Sequence, residues 1–168
     1  MKLLTVIKNG KFTGVQYEQD SDAIRAHHAS QGEMLVFLDY RLTANEDGDY
    51  GVPSVGEIKE QLMSDLSAER KFQERQGVTL NDIRYAGDPG NRQALQEAIS
   101  FMEDAGLTEF PGWKDSDGQF HVNHPLSDVL DAYRAIGERR AALIATEGEY
   151  AKQITAGTLT DLNEVTWP

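Results

Sequence analysis

A short acidic stretch, Asp115-Ser116-Asp117-Gly118, has the residue types that open a calcium-binding loop. It lacks a third acidic ligand before the glycine and the glutamate that closes such a loop through both carboxylate oxygens. Asp and Gly are also the residues that tight turns favour. We therefore predict a hairpin turn at this position. The polar run at 45–49 could hold a cation more easily, and there we predict a solvated loop.

Four histidines are the remaining candidates for metal ligands. His121 and His124 lie three residues apart, and His27 and His28 are adjacent. A metal site needs three or four ligands that converge from rigid elements. His121 lies on a predicted strand and His124 just before Pro125, so the pair need not converge. We predict no metal site, and we expect the histidines to be exposed or to cap helices.

Motifs for covalent and phosphate chemistry are missing from the sequence. There is no Gly-x-Ser-x-Gly elbow, no Gly-x-Gly-x-x-Gly turn and no phosphate-loop lysine. The chain has no cysteine, which excludes disulfides, thiolate zinc sites and cysteine nucleophiles. Carboxylates are so numerous that a pair with glycosidase spacing carries no information. We predict a protein that is not an enzyme and needs no cofactor; two carboxylates converging in a deep cleft would favour a hydrolase instead.

The charge of the chain limits its partners. The 168 residues carry a formal net charge of −12. Negative charge of this size repels phosphate backbones and anionic membrane surfaces, so we predict neither nucleic-acid nor membrane binding. The N-terminal apolar run is too short for a signal peptide, and no stretch reaches the length of a membrane helix. We expect synthesis in a cytoplasm.

The first 53 residues read as a small β-rich lobe. Asn9-Gly10 between two apolar runs predicts a β-hairpin over about 2–18. Ser21-Asp22 can cap a short helix through Ala29, with Gly32 as the residue that terminates it, and residues 34–38 read as a third strand. A polar loop with Gly and Pro at 43–53 marks a boundary.

A helix over 54–76 follows this boundary, with Ser54 as its predicted N-cap. Its apolar residues form one narrow seam, which consists of Val55, Ile58, Leu62 and Leu66. Such a seam suits a connector packed on its own domain or a helix paired in an oligomer, and we favour the connector.

Residues 77–168 predict a hairpin, a helix, a second hairpin and a long helix. The first hairpin turns at Asn81-Asp82. Asp88 and Pro89 begin a helix that runs to Ala105 and is closed by Gly106. The second hairpin spans about 113–122. The long helix opens at Pro125 or Ser127, runs to about residue 155 and has a heptad of apolar positions at 129, 136, 143 and 150. The whole chain is predicted as α+β, divided into 1–53, 54–76 and 77–168.

Five aromatic residues in this region could be binding anchors, but in a small α+β domain they more often form the core. We predict core positions for Phe110, Trp113, Phe120 and Tyr133. Trp167 lies so close to the end of the sequence that it needs docking to stay ordered, either on its own domain or on a neighbour.

The order of these motifs resembles a known domain. The first motif is the hairpin Gly77-Val78-Thr79-Leu80-Asn81-Asp82-Ile83-Arg84-Tyr85, which is followed by a helix from Asp88 and then by Leu107-Thr108-Glu109-Phe110. Next come the hairpin Trp113-Lys114…Asp117-Gly118-x-Phe120, a long helix and Trp167-Pro168. Residues of about 69–168 thereby resemble an uncharacterised domain at the C-termini of tail and tail-fibre-associated proteins of tailed bacteriophages. That family carries no catalytic residues, and residues 1–55 match nothing in it.

The resemblance implies a non-enzymatic structural component of a phage tail, at the tail tip, baseplate or fibre attachment, with a contribution to host adsorption. The expected partners are other tail proteins and further copies of the chain, with a homotrimer as the first expectation, and the expected location is the virion. The candidate interface residues are Val55, Ile58, Leu62, Leu66 and Trp167. The strand at 11–18 is a candidate for strand addition to a neighbour. The alternative function is a tail-fibre assembly chaperone that is not retained in the virion.

Overall fold

The computed structural model describes residues 3–9, 11–38 and 55–168. The predicted solvated loop at 45–49, the boundary at 43–53 and the cap at Ser54 lie outside these residues. The chain divides into two compact units, residues 1–66 with 149–166 and residues 67–148 with 167–168. The three-part division drawn from the sequence stays a prediction.

The first unit contains a three-stranded antiparallel sheet. Strand β1 (Leu3–Lys8) lies between β2 (Lys11–Tyr17) and β3 (Met34–Leu38). Every residue of β1 from Leu3 to Ile7 is buried, which is typical of a central strand covered on both faces. The predicted hairpin and the third strand are confirmed.

Helix α1 (Asp22–Ser30) begins where the sequence indicated. The Ser21 hydroxyl accepts a hydrogen bond from the Ile24 amide, so it satisfies one of the orphan donors of the first turn. Ile24 packs against the cluster formed by Leu4, Val6 and Leu35 of the sheet. Local capping and an apolar contact together fix this helix.

Helix α2 (Val55–Gln76) ends at Gly77, where the backbone has φ +70°. A Cβ atom at this glycine would lie 1.8 Å from the main-chain oxygen of Tyr85, so the chain at Tyr85 approaches the helix end too closely for any side chain at residue 77. Within the second unit, the helix end is held by Glu74, which is 9% exposed. Its carboxylate lies 2.6 Å from Arg70 and 3.1 Å from Arg140.

The second unit is built from two hairpins and parts of three helices. The first hairpin pairs β4 (Val78–Leu80) with β5 (Ile83–Tyr85), and the second pairs β6 (Glu109–Lys114) with β7 (Phe120–Pro125). Helix α3 (Pro89–Asp104) separates the hairpins, and α4 (Leu126–Ala156) follows the second one. A short 3₁₀ turn at Leu162–Glu164 follows α4 and belongs to the first unit. The predicted α+β class and order of elements are confirmed.

The core of the second unit is formed by one face of α3, the inner side of both hairpins and the heptad face of α4. Three of the predicted heptad positions, Val129, Ile136 and Leu143, are at most 3% exposed. Their burial fits the apolar spacing that predicted the long helix. The buried cluster consists of Tyr85, Leu95, Ile99, Met102, Phe110, Leu126, Val129, Ala132 and Ile136.

Two expectations about the second hairpin were wrong. Its strands run over 109–125, beyond the predicted 113–122, because the ladder continues through Glu109 opposite Pro125. Phe120 was expected in the core and is 77% exposed. Phe110 is buried, and Trp113 and Tyr133 pack against the core as predicted.

Candidate interaction surface

The tip of the β6–β7 hairpin is a turn closed by the side chain of Asp115. One carboxylate oxygen accepts hydrogen bonds from the amides of Asp117 at 2.9 Å and Gln119 at 2.8 Å. The other lies 2.9 Å from the Nε2 atom of His121. This bond to His121, together with the two amide bonds, holds the pKa of the Asp115 carboxyl below its ordinary value. The predicted turn is confirmed, and its carboxylate is committed to protein contacts.

The hairpin tip is also tied to the first hairpin of the same unit. Arg84 on β5 donates to Asp117 at 2.7 Å and to the main-chain oxygen of Ser116 at 3.0 Å. The Ser116 hydroxyl accepts a hydrogen bond from the Ala86 amide at 2.7 Å. A two-stranded hairpin is marginal alone, so these bonds give it a rigid support.

Under the hairpin, His124 forms a buried pair with Tyr85. The tyrosine oxygen lies 2.8 Å from Nε2 of the histidine, and the residues are 2% and 4% exposed. Burial raises the pKa of Tyr85 to about 12 and lowers the pKa of His124. The ring of Trp113 stacks on His124 with centroids 5.5 Å apart. The expectation that this histidine is exposed or caps a helix was wrong, because a tyrosine 39 residues away in sequence satisfies its ring nitrogen.

His28 in the first unit is buried in the same manner. It is 6% exposed, and its two ring nitrogens lie 2.9 Å from the Tyr17 hydroxyl and 2.7 Å from the Glu33 carboxylate. This histidine was also expected to be exposed or to cap a helix, which was wrong for the same reason. Among the described residues, no three His, Asp or Glu side chains are grouped so that they could hold a metal ion.

A change in side-chain direction along the second hairpin creates its outer face. Phe110 and Trp113 both contact the core although they are three residues apart, whereas strand alternation places residues two apart on one face. Opposite the interval between them lies Asn123, whose φ of 51° is in the left-handed region. The strand therefore reverses which residues face inward at this point. The side chains of Phe120 and Val122 point to solvent as a result.

The outer face is apolar and carries one cation. Phe120 and Val122 are 77% and 80% exposed, the two highest values among the large apolar side chains that the structure describes as exposed. Gly112 lies opposite Val122 and Lys114 opposite Phe120. The Lys114 ammonium lies 5.5 Å from the centre of the Phe120 ring, within range of a cation–π contact. We call these four residues the outer hairpin face.

The interface residues expected from the sequence lie elsewhere. Val55, Ile58 and Leu62 are half-buried on α2, and Leu66 is 1% exposed, so its side chain is already covered within the chain. Trp167 is half-buried. The first three and Trp167 keep some surface for a partner, and their role at an interface stays a prediction.

Strand β2 lies at an edge of its sheet, which is the position that strand addition needs. Its pairing with β1 shifts register between Thr5 and Ile7, and Gly14 opposite this interval has φ +89°. A bulge of this kind twists an edge and interrupts its row of free main-chain groups. Strand addition along 11–18 stays a prediction, with a shorter regular edge than the sequence indicated.

Within the described residues, no helix is both long and apolar enough to span a membrane. Comparison with known proteins gave one result: residues 57–166, well over half of the chain, match a family model described as "Domain of unknown function (DUF4376)". No curated protein matches the chain, and no solved structure matches it.

Proposed function

The chain belongs to the DUF4376 family, and on that premise we propose that it is a non-enzymatic structural component of a bacteriophage tail. Support for the tail role comes from the resemblance of residues about 69–168 to the C-terminal domain of tail and tail-fibre-associated proteins. The family match over residues 57–166 covers almost the same stretch. The proposed location is the virion, at the tail tip, baseplate or fibre attachment.

One observation supports a structural role most directly: the outer hairpin face. Phe120 and Val122 stand in solvent on a hairpin that Arg84 and Asp115 hold rigid. Burying an apolar side chain of this size contributes about 1.5–3 kcal/mol. A rigid, pre-formed apolar face keeps most of this gain because little conformational entropy is lost on binding. We propose that this face contacts a neighbouring tail protein.

The side chains that could take part in catalysis favour the non-enzymatic assignment, because they are engaged in structural contacts. Asp115, His121, His124 and His28 make the structural contacts described above. The partners of the chain in this proposal are other tail proteins and further copies of itself, with a homotrimer as the expected assembly. A contribution to host adsorption belongs to the same proposal, since Phe120 is an exposed aromatic residue of the kind that receptor contacts use.

The test is quantitative mass spectrometry of purified virions, in which copies of this chain are counted against the major tail protein. We expect a reproducible small multiple of three copies per particle. Native mass spectrometry of the isolated protein provides the matching measurement of its assembly state. Absence from the particle, with abundant protein in the infected lysate, would contradict the structural role and support the assembly chaperone.

A further inference from the structure

An open cavity of about 510 Å³ lies in the first unit. Its walls come from α1, the turn before β3 with the start of that strand, the first turns of α2, and the end of α4 with the segment that follows it. The volume falls within the range of roughly 300–1,000 Å³ that is typical of ligand sites. The lining consists of Arg25, Ala29, Gly32, Glu33, Met34, Leu35, Lys59, Ala156, Gly157, Thr158 and Thr160.

Two of the three charged groups in the lining are already satisfied. The Arg25 guanidinium donates to Asp20 at 2.8 Å and lies 3.1 Å from Glu164. The two carboxylate oxygens of Glu33 are taken by Lys8 at 3.2 Å and His28 at 2.7 Å. These contacts lower the pKa of Glu33, chiefly through the hydrogen bond from His28. The charge of Arg25 is therefore paired with two carboxylates, and each oxygen of Glu33 already has a partner within the chain.

Lys59 differs from them. Its ammonium donates one hydrogen bond, 2.6 Å long, to the main-chain oxygen of Thr155 in the last turn of α4. An ammonium has three N–H donors, so two have no partner among the residues that the structure describes. The side chain is half-buried, and a partly desolvated cation binds a carboxylate more strongly than a fully exposed one does.

The rest of the lining suits an extended chain better than a compact molecule. The cavity is open to solvent, and Gly32 and Gly157 leave room in its wall because neither carries a side chain. A Cβ at Gly32 would meet no atom within 4 Å, and at Gly157 the nearest atom would be the Lys59 ammonium at 4.0 Å. Apolar contact comes from Met34 and from alanines, which fit small or β-branched side chains.

We propose that this cavity, which we call the Lys59 groove, binds an extended peptide segment of a partner protein through one acidic side chain. The carboxylate lies against the free donors of Lys59, with the hydroxyl of Thr160 beside it in the lining. Charge complementarity selects an acidic segment because Arg25 and Glu33 are already paired, which leaves the ammonium of Lys59 as the unpaired charge of the lining among the described residues. The site does not depend on the tail role, and its test is independent of virion composition.

The test uses three capped pentapeptides that differ at the central residue: Ala-Val-Glu-Val-Ala and its Gln and Lys counterparts. The full-length ¹⁵N-labelled protein is titrated with each peptide, to concentrations that reveal a Kd of about 1 mM. We expect saturable shifts of the Gly32, Gly157 and Thr160 amides with the Glu peptide. The Gln peptide should bind about threefold to fivefold more weakly, and the Lys peptide should not bind.

Lys59→Met removes the charge and keeps the apolar stem of the side chain. It should lower the affinity for the Glu peptide to that for the Gln peptide. The matched control is Lys152→Met on α4, whose side chain is 74% exposed and lies outside the lining. Circular dichroism establishes that both variants are folded. The proposal is overturned if the Glu peptide causes no saturable shifts at these amides, if Lys59→Met leaves its affinity unchanged, or if acetate at equal concentration reproduces the shifts.

Discussion

Replacing Tyr85 with phenylalanine tests whether the Tyr85–His124 pair supports the second hairpin. The substitution keeps the ring and removes a hydroxyl that lies 2.8 Å from the histidine nitrogen. Because the two residues are only 2% and 4% exposed, water cannot replace the lost partner. An unsatisfied buried polar atom costs about 1–3 kcal/mol, and we expect the free energy of unfolding to fall by that amount.

For a chain of this length, 1 kcal/mol corresponds to about 2–4 °C in Tm, so the expected fall is about 2–12 °C. The assay is thermal and urea unfolding followed by the fluorescence of Trp113, whose ring stacks on His124. Both proteins carry Trp167→Phe, so that one tryptophan reports. Tyr133→Phe is the matched control, because Tyr133 is half-buried at the same core and no described residue bonds its hydroxyl.

The pH dependence gives an independent check of the same pair. The pKa of Tyr85 is raised to about 12, so the folded state holds its proton more tightly than the unfolded state, whose tyrosine titrates near 10. This contribution to stability is present below pH about 10 and is lost as pH rises towards about 12. The difference in free energy of unfolding between wild type and Tyr85→Phe should therefore decrease as the pH rises over that interval. Equal losses in Tyr85→Phe and Tyr133→Phe, or a difference that stays constant across the interval, would refute the reasoning.

The remaining predictions concern the loss of stability at acidic pH and the close approach at Gly77. Burial lowers the folded-state pKa of His124, with His121 acting in the same direction and Asp128 against it. The unfolded state therefore takes up the proton first, and the free energy of unfolding decreases as pH falls below about 6.5. In urea titrations at several pH values, His124→Gln should reduce this dependence of the free energy of unfolding on pH. Gly77→Ala should cost more than about 2 kcal/mol in urea unfolding, because its φ is +70° and its Cβ would overlap a main-chain oxygen. Gly148→Ala, in open space within α4, should instead stabilise by about 0.5–1 kcal/mol, and equal effects of the two glycine substitutions would contradict the assigned geometry.

Much of the fold could be predicted from the sequence because its signals are local. Asn9 has φ 54° where β1 ends, Ser21 and Asp88 cap their helices through their own side chains, and Gly106 ends α3 in a left-handed conformation. Each of these depends on residues within one turn of each other. The heptad of α4 is also local in this sense, since one helix face carries it.

The outer hairpin face could not be predicted because it depends on one backbone angle. Alternation along β7 gives no sign that Asn123 adopts φ 51° and reverses the facing of Phe120 and Val122. Non-local pairs were missed for a related reason. Tyr85 and His124 are separated by a helix and most of a hairpin, and no spacing rule joins them. The Lys59 groove draws its lining from four separate stretches of the chain, so it appears only once they are folded.

The central claim is that the outer hairpin face attaches this chain to the phage tail. The most direct measurement compares virions produced with wild-type protein and with the Phe120→Ser, Val122→Ser double variant, counting copies per particle by quantitative mass spectrometry. Because both side chains are at least 77% exposed, the variant should keep wild-type stability in urea unfolding to within about 0.5 kcal/mol. We expect wild-type particles to carry a fixed copy number and variant particles to carry few or no copies. A stable variant that enters the particle at the wild-type copy number would contradict the claim.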